Sequence, residues 1–151
     1  ASELLLILAA RAAFVRDVVR PALERGEVVV ADRSDASTLA YQGHGRGLDL
    51  ETVRRLNGFA TGGLRPDAMV VLDLPVAEGT ARQRREGKRA DRMEREGRPF
   101  MERVAEGYRR VVEEDPAARR VDATGTPGAV QERVRDALRE LLPETFPSAP
   151  V

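Results

Sequence analysis

Asp32 and Arg33 follow directly on the apolar run Val28, Val29, Val30 and Ala31, so a carboxylate and a guanidinium emerge where a buried strand is expected to end. Open α/β sheets hold their ligands at that edge. Ser37, Thr38, Tyr41 and Gln42 then add hydroxyl, phenol and carboxamide groups before Gly43. An Arg matches phosphate oxygens two at a time, and the neutral polar groups suit the rest of a small, phosphorylated molecule. The chemistry predicted here is nucleotide binding.

Further basic residues are read first at their plainest. Arg11 interrupts an apolar helical stretch, where a lone Arg is ordinarily solvent-facing or snorkelling. Arg84, Arg85, Lys88, Arg89 and Arg92 are interleaved with Glu86, Asp91, Glu94 and Glu96, the pattern of a solvated charged surface. His44 lies in a Gly-rich stretch and is given no role.

These groups need a scaffold, and composition bounds it. The chain has 151 residues, 42% hydrophobic and 33% charged, as in one ordinary globular domain. Lys plus Arg and Asp plus Glu both number 25, so there is no basic excess to track nucleic acid. Lys88 is the one lysine, and the Arg excess has a bland source in GC-rich coding. The sequence contains no Cys and a single His, which excludes disulfides, thiolate metal sites and multi-His centres and suits a reducing cytoplasm. The longest apolar run is too short to span a bilayer and lacks the features of a secretory signal, so no membrane partner is expected. The chain opens on Ala and enters helical periodicity at once, which reads as a cut from something longer.

Periodicity predicts a first helix over residues 2–25, capped by Ser2 and stopped by Gly26, with Pro21 kinking or restarting it. Leu4, Leu8, Val15, Val18 and Val19 fall near one face. Residues 27–31 read as a buried strand, residues 43–47 as a loop, and residues 50–60 as a helix capped by Asp49 and ended by Thr61, Gly62 and Gly63. A second strand is predicted over residues 68–74, a helix over 76–85, and a mobile surface loop over 86–98. Phe100, Val104, Tyr108 and Val111 mark a helix over 99–114. A short strand at 120–123 precedes a last helix entered through Thr126 and Pro127, with Val130, Val134, Leu138 and Leu141 on its stripe. Residues after Pro143 read as a frayed tail. Alternating strands and helices specify an α/β fold with a parallel sheet and flanking helices. Three strands are too few for strands this apolar, so the sheet is expected to be incomplete.

The stretch Asp-Arg-x-x-x-Ser-Thr-x-Ala-Tyr-Gln-Gly-x-Gly-Arg-Gly over residues 32–47 resembles the signature of thymidylate kinases. Other matching blocks are Val19-Arg20-Pro21-Ala22-Leu23, Gly62-Gly63-Leu64-Arg65-Pro66-Asp67, Leu72-Asp73-Leu74-Pro75, Asp91-Arg92-x-Glu94 with Phe100, and Arg103-Val104-x-x-Gly107-Tyr108. They span residues 4–142. The resemblance implies a P-loop kinase fold that moves the γ-phosphoryl of ATP, with Mg²⁺, onto dTMP, in a cytoplasmic protein that forms homodimers. It also implies an opening strand and a Gly-x-x-x-x-Gly-Lys-[Ser/Thr] loop, neither of which occurs in these residues. Gly43-x-Gly45-x-Gly47 is no substitute, lacking the Lys and the Ser or Thr. The N-terminal strands are therefore expected to be missing, and the chain alone to be inactive or nearly so.

Residue by residue, the resemblance implies that Arg33 holds the acceptor phosphate and that Asp32 acts electrostatically near Mg²⁺. Ser37, Thr38, Tyr41 and Gln42 would line the acceptor pocket, Thr38 at the base edge, and Arg11 would contact the base. Residues 84–98 would form the lid over ATP, with Arg84, Arg85 or Arg89 supplying charge to the transition state and Arg92 at the lid base. Two departures stand out: Ile7 and Ala10 replace the aromatic and Asp that accompany the family's Arg at position 11. Those departures keep two other readings open, a non-catalytic nucleotide-binding relative and a related kinase with another acceptor.

Overall fold

The architecture is that of a computed structural model describing residues 1–85, 87 and 92–147, with the backbone alone of Glu94. It comprises two compact units, Ala1–Arg65 and the residues from Pro66 onward.

The first unit is helical. Helix α1 (Ser2–Phe14) runs through a π-helical segment, Val15–Val19, into α2 (Arg20–Glu24). Pro21 dictates this course, because its ring clashes with the carbonyl four residues back and it has no N–H to offer. The wider turn answers that strain, with the Arg20 N–H donating to the Val15 carbonyl. The expected restart at Pro21 thus takes the form of a π bulge. Leu4, Leu8, Val15 and Ala22 are buried, whereas Val18 is exposed; the π turn rotates Val18 off the face that a regular helix would give it. Ala1, not Ser2, occupies the cap position, and no side chain caps this end. Gly26, at φ 76°, ends the helix as expected.

Residues 27–31 form no strand. Val28 is 68% exposed and Val30 90%. A strand exists only through its ladder, and no described residue pairs with this segment. After it come α3 (Asp35–Thr38) and a π-helical segment, Leu39–Gly45. Helical structure thus extends into the predicted Gly-rich loop because Gly43 and Gly45 are buried: a Cβ on Gly43 would sit 2.5 Å from Leu50 Cδ2. Helix α4 (Leu50–Thr61) starts where Asp49 accepts from the Thr52 N–H at 2.8 Å and ends on left-handed Gly62. Arg20 also closes that end, donating to the carbonyls of Thr61 and Gly62 at 3.0 and 3.1 Å, a cation at the negative end of the helix dipole.

The second unit holds the sheet. Strand β1 (Met69–Asp73) leads to α5 (Val76–Arg85), a one-turn 3₁₀ segment (Glu94–Glu96), α6 (Arg98–Glu114), β2 (Ala118–Asp122) and α7 (Pro127–Leu141). The strands pair in parallel from Met69 opposite Ala118 to Asp73 opposite Asp122. Parallel pairing flanked by helices agrees with the α/β expectation, with two strands among the described residues in place of three. Opposed aspartates repel, and each is matched separately. Asp73 accepts from Arg109 through both oxygens at 3.3 Å and from Arg120 at 3.4 Å; Asp122 accepts from the Thr124 N–H and hydroxyl, both at 2.9 Å. Helix α6 buries Phe100, Val104, Gly107 and Val111. Helix α7 is capped by Thr126, and Ala137 is its buried residue, the predicted stripe of Val130, Val134, Leu138 and Leu141 being half-buried.

Candidate active site

The first unit gathers several of the predicted site residues. Arg11 stands on α1, facing α3 and α4, with its guanidinium forked between them. Its Nη1 donates to Thr38 Oγ1 at 2.7 Å and to Asn57 Oδ1, and its Nη2 donates to the Ser34 carbonyl at 2.8 Å. Thr38 is 1% exposed and Asn57 5%. All three direct partners are neutral oxygens, and burial therefore lowers the Arg11 pKa from the ordinary guanidinium value, an effect partly offset by the charge of Asp35. The group nevertheless stays cationic at neutral pH. Arg11 is thus neither snorkelling nor turned to solvent.

Arg33 adjoins Ser34 in the chain, one peptide bond from that cluster. It is the one non-glycine residue with positive φ among those described, at 66°, a conformation that L side chains adopt at a cost and that often accompanies function. Its guanidinium lies over the Tyr41 ring, 5.4 Å from the centroid, so the phenol face holds the cation without neutralising it. Asp32 is exposed beside it. The Ser37 N–H donates to the Ser34 carbonyl at 3.1 Å, closing the first turn of α3.

Gln42 is bonded to α1. It is 3% exposed, and its Nε2 donates to Glu3 at 2.9 Å, the same carboxylate that pairs with Arg46 at 3.4 Å. That contact ties α1 to the Leu39–Gly45 segment. In the second unit, Arg84 and Arg85 are exposed at the end of α5, with Arg85 Nε donating to the Ala81 carbonyl at 3.3 Å, and Arg92 is also exposed. Arg89, with Glu86, Lys88 and Asp91, lies outside the described residues.

Asn57, Arg20 and Glu3 were not singled out from the sequence. A signal for Asn57 was present, since Val53, Asn57 and Thr61 recur every four residues and form the buried stripe of α4. A carboxamide on a buried helix face needs a partner.

The model of the family described as thymidylate kinase matches residues 1–134. This chain belongs to the thymidylate kinase family. Thymidylate kinases similar to it include those of Desulforudis audaxviator, 56% identical over 115 residues (76% of this chain, 51% of the relative), and Desulfovibrio desulfuricans, 47% identical over 148 residues (93% and 68%). The thymidylate kinase of Pseudomonas fluorescens is 48% identical over 143 residues, 94% of this chain and 66% of the relative. The chain thus spans between about half and two thirds of the length of these thymidylate kinases. No helix among the described residues is long and apolar enough to cross a membrane.

Proposed function

We propose that these residues form the acceptor-binding, lid and C-terminal portions of a dTMP kinase, which transfers the γ-phosphoryl of ATP to dTMP and yields dTDP. The observation carrying this reading is Arg33, an exposed cation held at positive φ over Tyr41 and joined through Ser34 to the Arg11, Thr38 and Asn57 cluster. Arg33 would take the acceptor phosphate, and Arg11 with Thr38 the base edge. Tyr41 would pack beside the sugar or base, and Ser37 would complete the pocket. Gln42 would act by bracing α1 through Glu3. Arg84, Arg85, Arg89 and Arg92 would serve the lid, one of them lending charge to the transferring group. Catalysis in this scheme is positioning plus charge stabilisation.

Among the described residues no group of three His, Cys, Asp or Glu could hold a metal ion. Asp32 would add negative charge near a Mg²⁺ carried by phosphate oxygens and water. When bound, the ion neutralises charge on the phosphates. The sequence has no Gly-x-x-x-x-Gly-Lys-[Ser/Thr], so the 151 residues alone are proposed to turn over dTMP at background rate only. The exposed apolar groups of the first helical run, Leu5, Leu6, Phe14 and Val18, support a homodimer formed through that run. A cytoplasmic location accords with the cysteine-free composition.

Phosphorus NMR tests the reading. The dTMP resonance should shift or broaden on titration with the chain and should not with Arg33→Ala. A dTMP resonance unaffected by the wild-type chain contradicts the proposal.

A further inference from the structure

We propose that Asn57 is a positioning residue that holds Arg11 for the acceptor while leaving its charge unneutralised. This rests on the acceptor-site reading and deepens it. The carboxamide sits where a carboxylate would serve the fold better. Its Oδ1 accepts from Arg11, while its Nδ2 is buried and has no hydrogen-bond partner among the described residues. Reversing the amide would turn two donors toward a guanidinium that only donates, so the orientation is fixed and the orphaned donor is its consequence. Buried donors without partners are uncommon because they cost stability. Aspartate has nearly the same shape and would accept from Arg11 more strongly, its second oxygen taking the place of the orphaned amide.

What aspartate would remove is the free charge. Every group bonded to Arg11 is a neutral oxygen, from Thr38, Asn57 and Ser34; the Asp35 charge acts on it only through space, and α1 carries Ala10, not an acid, just before it. A cation fixed in direction by neutral acceptors can give its field to an incoming carbonyl or anionic oxygen. Paired with a carboxylate, the same cation would spend that field inside the protein. Asn57 therefore trades a stronger local pairing for an Arg11 that stays available.

The test compares Asn57→Asp and Asn57→Ala with the wild-type 151-residue chain by dTMP calorimetry, thermal unfolding and nitrogen-detected NMR of the Arg11 guanidinium. Asn57→Asp should fold with a Tm equal to or above wild type, keep a restrained Arg11 signal, and bind dTMP about tenfold or more weakly, as expected for losing one hydrogen bond to a charged group. Asn57→Ala should lose the restrained signal and weaken binding about as much. Wild-type affinity in Asn57→Asp overturns the charge argument, as does a Tm below wild type. A restrained Arg11 signal in Asn57→Ala overturns the positioning role, and should that variant not fold, the near-isosteric Asp variant still decides the charge argument. A wild-type chain that binds no dTMP contradicts the acceptor reading, and with it the charge argument; the Arg11 signal then decides positioning alone.

Discussion

Arg11 Nη1 lies 2.7 Å from Thr38 Oγ1 and donates as well to Asn57 Oδ1. One guanidinium nitrogen thus joins α1 to both α3 and α4, and its neighbour Nη2 fixes the Ser34 carbonyl at 2.8 Å. The orientation of the Asp32–Arg33 segment is set by a half-buried cation.

Lysine cannot reproduce that fork, because its single ammonium nitrogen reaches at most part of the acceptor set. Arg11→Lys should therefore lower unfolding free energy by about 1–2 kcal/mol in urea titrations. A change smaller than the experimental error would mean that the cluster does not hold the helices together.

Backbone strain at Arg33 separates stability from function. At φ 66°, Gly is the residue the conformation favours, so Arg33→Gly should be more stable than Arg33→Ala by about 1 kcal/mol. Both variants should lose dTMP binding. Equal stability of the two variants would show that this backbone relaxes once the Arg side chain is gone.

Two exposed carboxylates, Asp49 and Asp122, contribute to the acid limb of stability. The Thr52 hydrogen bonds hold Asp49 below its ordinary pKa, and those from Thr124, backbone first, do the same for Asp122. A folded-state pKa below the unfolded one contributes stability that is present above the unfolded value and lost as pH falls through the folded one. Thermal midpoints of the wild type should thus fall below about pH 4, and Asp49→Asn with Asp122→Asn should flatten that fall. An unchanged acid limb in the double variant would assign it to other carboxylates.

Much of this was legible in the sequence because it is local. Asp49 and Thr126 as caps, Gly26 and Gly62 as stops, and Val76–Arg85 as a helix follow from neighbours in the chain. The motif around Asp32 and Arg33 named the family for the same reason. What escaped depends on distant partners. Residues 27–31 have a strand's composition, but composition supplies no ladder. Val18 left the core face because Pro21 widened the preceding turn. The bond from Gln42 joins it to Glu3, distant in sequence. Asn57 gave no motif at all, only a carboxamide at a helical spacing from Val53.

Calorimetric titration of the 151-residue chain with dTMP and with dCMP bears on the acceptor site before any question of turnover arises. Both ligands offer the same phosphate to Arg33, but at the base edge an amino group in dCMP replaces an oxygen that Arg11 and Thr38 can serve as donors. Saturable binding of dTMP, weaker binding of dCMP, and loss of both in Arg33→Ala is the predicted result. Equal affinity for the two nucleotides, or none for either, would contradict a thymidylate acceptor site built on these residues.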